Sequence, residues 1–590
     1  MRQFFKFMFA SCLGVILAGV LMSLISVVIV GQIASSADKP KPVKPNTVLL
    51  LTLEQPIPEQ TNNMEMNPFD FKNQYILGLS DMVQAIGQAK ADDRVQGIYL
   101  DLKQVAIGQA TAAALRQALI DFRSSGKFVY AYGEYYTQGS YFLASAADKV
   151  YLNPIGDLDF RGFAMIQPFF KTMLDKIGVN MQVTYAGNFK SATEPFRLTQ
   201  MSPENRLQVR EFIESMYSSY LTGISESRNI PLADLKEIAN GWKIRNPEDA
   251  VKMGLIDVSG YQDQAIGEMR GKLGLEDKDK VPFLELADYY KAKHMDQDFS
   301  AKDRIAVVYA EGSIQDGEGQ PGIVGDEQYV KWLEKIRRDD KVKAVVLRVN
   351  APGGSALASE NIWRELKLIK ESGKPVVVSM GDLAASGGYY ISCMADTIYA
   401  EPTTLTGSIG VFNMLPNAEV LFEEKLGITF DTVKTGQFST SLTPFYAWTD
   451  PERQIMQKDV DEIYETFLQR VADGRGMTRD QVHEIAQGRV WTGQKAVDLG
   501  LVDAIGGLDK ALASAASLAG LEKYRTMDYP RVKDPMQQFI DTFMENEDDV
   551  QARVISRELG SEYAPFYEYY RDMKSARGPQ ARLPFVFKWN

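Results

Sequence analysis

The sequence writes one domain twice, and no other feature narrows the possible folds as much. VQGIYLDL from Val95 lines up with VKAVVLRV from Val342, and Gly126-Lys127 with Gly373-Lys374, both at an offset of 247. Gly133-Glu134 matches Gly381-Asp382 and Ala147-Asp148 matches Ala395-Asp396 at 248. Lys176-Ile177-Gly178 matches Lys425-Leu426-Gly427 at 249, and AVKMGLIDVSG from Ala250 matches AVDLGLVDAIG from Ala496 at 246. Solenoid repeats run roughly 20–50 residues, so a period this long is a duplicated domain. The expected division is a first copy over 48–275, a connector over 276–303, a second copy over 304–520, and a C-terminal extension over 521–590 to which no function is assigned.

Within each copy, short β-branched runs alternate with amphipathic segments. In the second copy IAVVYA is followed by a helical pattern near Tyr329–Arg338, then VKAVVLRV, a helical pattern near Ser359–Ser372, and PVVVSM. That alternation predicts parallel strands with crossover helices, an α/β sheet whose site lies at the carboxyl ends of its strands. At one such end the chain is expected to turn through Gly381–Ala385 into Ser386-Gly387-Gly388, with an apolar helical face returning through Tyr389, Tyr390, Cys393 and Met394. A serine there can be a plain helix cap. It can equally be a nucleophile, since free backbone N–H groups at a helix start favour negative charge and two glycines leave room for a substrate backbone. A-A-S-G-G is not the G-x-S-x-G elbow of α/β-hydrolases. The turn Pro352-Gly353-Gly354, directly after another strand, could supply oxyanion donors beside the serine.

The chemistry is expected where the copies differ. Opposite Ser386 the first copy has Gln138, and opposite Pro352-Gly353-Gly354 it has Val105-Ala106-Ile107. Conversely, GNFKSA around Lys190 stands opposite GQFSTS, with Ser439 in the place of the lysine. A lone loop lysine is usually a solvated charge. The reciprocal loss suggests instead that an ancestral domain carried both groups and that its copies divided them.

Composition excludes several classes. A net charge of -12 and no basic cluster interleaved with aromatics argue against a nucleic-acid partner. Two cysteines, Cys12 and Cys393, make no disulfide framework, and two histidines, His294 and His483, give little material for a Ser-His-Asp triad or a zinc site. Neither a metal nor a cofactor is expected. Before the first copy, Phe9–Val30 carries no charge and spans roughly 33 Å as a helix, enough to cross a bilayer. Arg2 and Lys6 precede it, which predicts a cytoplasmic N-terminus over residues 1–8, an anchor over 9–31, a Pro-rich spacer over 32–47, and the remainder on the far side. A cleaved signal peptide processed near Ser35-Ser36-Ala37 is the rival reading.

Taken together, GNFKSATEPF, VNAPGGSALASE, AASGGYYIS and LTGSIGVF resemble the hallmark stretches of the long, duplicated type of the bacterial signal peptide peptidase A (protease IV) family, from the N-terminus to about residue 520. The resemblance implies two ClpP/crotonase-like domains and a membrane-anchored serine peptidase with a Ser/Lys dyad. Ser386 would be the nucleophile, Lys190 the general base, Gly353, Gly354 and Gly387 the oxyanion hole, and Ser408 a hydroxyl that orients the lysine. It further implies cleaved signal peptides and other apolar peptides as substrates, a homotetramer, and a place at the outer face of the cytoplasmic membrane. Two other readings stay open: a crotonase-type acyl-CoA hydrolase, and a membrane scaffold that has lost its chemistry.

Overall fold

The computed structural model describes residues 14, 41–62, 75–103, 107–295, 300–531 and 578–583. Apart from Gly14, the expected anchor lies outside them. Among the described residues no helix is long and apolar enough to cross a membrane.

Each copy builds the same sheet. In the first, the parallel strands Thr47–Leu53, Val95–Leu102, Phe128–Tyr136 and Lys149–Leu158 lie side by side, edged by Phe283–Glu285 and Val258–Ser259. In the second, Arg304–Glu311, Val342–Ala351, Val376–Ala385 and Thr397–Ala400 take the same places, edged by Arg525–Tyr529 and Ala504–Ile505. A strand covered on both faces must be apolar throughout, and Val342–Ala351 shows why the run is continuous. Val345, Leu347 and Val349 enter the core beneath the Ala356–Glu371 helix, whereas Ala344 and Val346 point the other way, toward the Leu508–Leu518 helix.

Three local expectations need correction. The chain does not turn at Gly381; the strand continues to Ala385, because Leu383–Ala385 pairs with Leu405–Gly407. The helix after Ser386 is short, Gly387–Tyr390, and Cys393 and Met394 lie in turns beyond it. The residues read as a connector also contribute structure to the first copy: Phe283–Glu285 is an edge strand and Leu286–Met295 a helix. Its counterpart in the second copy is Arg525–Tyr529, so the repeated unit reaches past residue 520.

A third, mixed sheet ties the halves together. Asn180–Ala186 of the first copy pairs antiparallel with Val411–Asn417 of the second over seven residues. Two buried polar links reinforce it. Arg348 donates to Glu59 at 2.7 Å. Asp382 accepts from the Ala110 and Thr111 amides at 2.7 and 3.2 Å, capping a helix of the other copy. A side chain at Gly108 would collide with that carboxylate.

Candidate active site

Ser386 directly follows the strand whose last residues pair with Leu405–Gly407. Its backbone is held at φ 56°, ψ −115°, in a region that non-glycine residues rarely enter. Such strain persists only where the surroundings enforce it: the Ser386 amide donates to Gly407 O at 2.8 Å, and Ser386 O accepts from the Tyr390 amide at 2.8 Å. Its hydroxyl caps no helix, so the simple capping role does not explain the residue.

Lys190 arrives from the other copy. After the cross-copy strand ends at Ala186, Gly187 (φ 104°) turns the chain against Gln487, and the Phe189 amide donates to Gln487 O at 2.8 Å. Gly488 (φ 77°) lies directly under the lysine; a Cβ there would stand 2.6–2.7 Å from Lys190 N, Cα and Cβ. From below, Gln208 Nε2 donates to Phe189 O at 3.1 Å and to Ser191 Oγ at 2.9 Å, while its Oε1 accepts from the Val490 amide at 3.2 Å. The arm is therefore clamped between a helix of its own copy and a turn of the other.

The lysine is 1 % exposed. Its Nζ is 2.8 Å from Ser386 Oγ and donates to Ser408 O and Ser408 Oγ, both at 3.1 Å. Burial alone pushes its pKa well below the ordinary value of 10.5, because the ammonium loses its hydration. Ser408 is held in place by its own strained backbone (φ 50°) and by donation of its amide to Arg489 O at 2.7 Å.

Gly353 packs on Gly387, whose own Cβ position is 3.2 Å from Gly353 Cα. Both therefore lie beside Ser386. Gly354 follows directly, paired with Ile314, whose backbone an added Cβ there would meet. The first copy's positions look different. Gln138 bonds Gly162 through both ends of its amide, at 3.0 and 3.1 Å, and Thr137 caps the helix there. Val105 and Ala106 lie outside the described residues. Ser439, opposite the lysine, is on an exposed turn with its hydroxyl on Gly436 O at 3.0 Å.

Other chemistries have little to work with. Among the described residues no His/Cys/Asp/Glu group could hold a metal. Burial pushes the Cys393 thiol up to about 12, and His483 is engaged with Tyr464 Oη at 3.1 Å. What sequence reasoning missed is the clamp around the lysine: Gln208, Gln487 and Gly488. Only the dipeptide Gln487-Gly488, a turn signal after a helical stretch, hinted at it.

Comparison with known proteins identifies the family. A model of Peptidase family S49 matches residues 121–276 and 369–522, once in each copy. "Protease 4" of Salmonella typhi is 40% identical over 473 residues, 76% of this chain and 73% of its own. "Protease 4" of Haemophilus influenzae is 37% identical over 451 residues, 74% of this chain and 72% of its own. "Serine protease SPPA, chloroplastic" of Arabidopsis thaliana is 32% identical over 487 residues, 81% of this chain and 70% of its own. Among solved structures, a ClpP1 mutant from Listeria monocytogenes aligns at 17% identity with a TM-score of 0.24, over 35% of this chain and 94% of its own, a likeness too slight to argue from.

Proposed function

The chain belongs to Peptidase family S49 and is a serine peptidase, and on that premise we propose that Ser386 and Lys190 are its catalytic dyad, one from each copy. The observation that carries the reading is the 2.8 Å contact between Ser386 Oγ and a buried amine whose charged form is disfavoured. A neutral amine has two N–H groups and one lone pair. Ser408 O and Oγ are placed to accept both hydrogens, which leaves the lone pair for the proton of Ser386.

In the first step Ser386 Oγ attacks the scissile carbonyl carbon and its proton passes to Lys190 Nζ. The oxyanion forms near the Gly353 and Gly387 backbones, where amide donors stabilise it more than they stabilise the ground-state carbonyl. The C–N bond then breaks, and the leaving amine takes the proton from Lys190. Water, deprotonated by the same amine, hydrolyses the acyl-enzyme and restores the serine. Ser408 acts as a positioning residue, fixing the lysine's rotamer.

The finer assignments rest on sequence resemblance. We read the two halves as ClpP/crotonase-like domains, anchored through residues 9–31, with the catalytic part outside the cytoplasmic membrane. Cleaved signal peptides and similar apolar peptides are the proposed substrates, and a homotetramer the proposed assembly. Neither a silent scaffold nor an acyl-CoA hydrolase needs a desolvated lysine against a serine. A fluorophosphonate probe tests the assignment: label should map to Ser386 and be absent from Ser386→Ala. Label elsewhere, or turnover of an acyl-CoA thioester in preference to peptide, would overturn it.

A further inference from the structure

One helix of the second copy, Asp450–Arg475, holds the supports of the lysine arm at two points. Gln457 Nε2 donates to Tyr185 O at 3.1 Å, on the cross-copy strand that leads into the arm. Two helical turns on, about 10 Å along the same face, Tyr464 Oη accepts from the Gln487 amide at 3.2 Å. Gln487 is the residue that receives the Phe189 amide, and its side chain accepts from Asn188 at 3.0 Å. It stands at φ 53°, a left-handed conformation that glutamine keeps only where its surroundings enforce it. Tyr464 is buried, and burial pushes its phenol up to about 12, so the hydroxyl stays neutral. Having taken the Gln487 hydrogen, Oη has its own to place, and His483 Nδ1 lies 3.1 Å away to accept it when the imidazole proton is on Nε2.

The first copy carries the same helix without this duty. Pro203–Arg228 matches Asp450–Arg475 at an offset of 247, which puts Tyr217 opposite Tyr464, Lys236 opposite His483 and Asn240-Gly241 opposite Gln487-Gly488. There the Tyr217 hydroxyl is buried with no hydrogen-bond partner among the described residues. The helix Leu232–Asn240 keeps Asn240 as its last residue, and the Gly241 amide goes to Glu237 O at 3.0 Å. In the second copy the equivalent helix, Arg479–Ile485, stops two residues earlier, and the Gln487 amide goes to the tyrosine. Both copies have the tyrosine, but its bond to the turn is made where a lysine arm is docked.

We propose that Tyr464 is a positioning residue for Lys190, holding the Gln487 turn in the shape that keeps the amine dry and against Ser386. The proposal rests on the Ser386/Lys190 reading above. Without the phenol oxygen the Gln487 amide loses its acceptor, and nothing opposes the strain of its backbone. The turn then relaxes toward the helical path that Asn240 takes in the first copy, and the acceptor of the Phe189 amide moves with it. Burial is the one cause that lowers the Lys190 pKa, so water admitted around the arm raises it again. The charged side chains around this support are paired off, Arg489 beside Phe189 with Glu211, and Arg479 near Tyr464 with Glu465 and Asp480.

The test is kcat/KM for a peptide as a function of pH in wild type, Tyr464→Phe and Tyr217→Phe. Tyr464→Phe should lose at least about tenfold at neutral pH, chiefly in kcat, and the rising limb of its profile should move to higher pH, where much of the activity returns. Tyr217→Phe should follow wild type. A folded Tyr464→Phe whose limb coincides with that of wild type overturns the proposal, and so does a loss of activity that is equal at every pH, since that leaves the tyrosine a structural support only. If Tyr464→Phe does not fold, His483→Leu, which removes the acceptor and keeps the phenol, takes its place, with the same shift expected and an unmoved limb equally fatal. A wild-type profile without any rise between neutral and alkaline pH sinks the dyad reading itself, and this proposal with it.

Discussion

The segment after the cross-copy strand in the first copy, Gly187–Arg197, and its counterpart in the second, Gly436–Tyr446, descend from one sequence and have opposite fates. The first is clamped by Gln208 and Gln487, and Lys190 is buried. The second is exposed over Gly436–Ser439, with Ser439 in the lysine's place. What separates them is a partner. Asn180–Ala186 found a strand of the other copy to pair with, whereas the residues equivalent to it in the second copy, about 429–435, form no strand. A lysine becomes a base when something excludes water from it, so under the proposed dyad pairing between copies, more than the residue itself, would produce the chemistry.

The largest effect expected from breaking this arrangement is loss of the dyad. Ser386→Ala should lower kcat/KM for a peptide at least about a thousandfold, and Lys190→Met roughly a hundred- to ten-thousandfold, with circular dichroism unchanged. Because the base works only when neutral, wild-type kcat/KM should rise with pH up to the lowered pKa of Lys190 and then level off. A rise that continues to the ordinary lysine value of 10.5 would mean that the amine is not desolvated in solution.

Gly488→Ala sharpens the comparison without replacing either reacting group. At φ 77° and 2.6 Å from Lys190 Cβ, the new methyl must displace the arm. Misplacement on the order of 1 Å can cost about a hundredfold, so kcat should fall roughly ten- to a hundredfold while fluorophosphonate labelling of Ser386 weakens in parallel. The same change at Gly436, on the exposed counterpart, should leave activity unchanged.

A smaller effect, of opposite sign, is expected in stability. Lys190's folded pKa lies below its unfolded value, so in the window between the two the unfolded chain binds a proton that the folded chain does not, and stability rises with pH. The cost of burying the lysine is complete below its folded pKa and fades as pH approaches 10.5. Lys190→Met should therefore be more stable than wild type by roughly 1–2 kcal/mol at neutral pH, with the gap closing at high pH. Guanidinium midpoints at two pH values measure it. A gap that widens with pH would contradict the burial argument.

How much of this the sequence disclosed follows from which interactions are local. Ser386 and Lys190 stood out because each is missing from the other copy, and the alternating runs announced parallel strands. The third sheet was invisible, since the pairing of Asn180–Ala186 with Val411–Asn417 joins residues far apart in the chain and leaves no periodic trace in either. Gly381–Ala385 read as a turn because glycine and aspartate punctuate, yet pairing with Leu405–Gly407 keeps it extended and the Asp382 carboxylate is used to cap a helix of the other copy.

The smallest expected effect is none, and it tests the division of labour most directly. In a Ser386→Ala background, Gln138→Ser places a hydroxyl where the first copy's nucleophile would stand. The lysine of that pseudo-site would have to come from Ser439, whose turn is exposed and could not desolvate an amine even after Ser439→Lys. In sequence, the Pro-Gly-Gly turn is replaced there by Val105-Ala106-Ile107. Base and oxyanion donors are each worth about a hundredfold or more. The double variant, and the triple variant carrying Ser439→Lys, should both hydrolyse peptide no faster than Ser386→Ala alone. Recovery in the triple variant would show that a lysine can be activated on the unpaired arm, and that pairing between the copies is not what makes Lys190 a base.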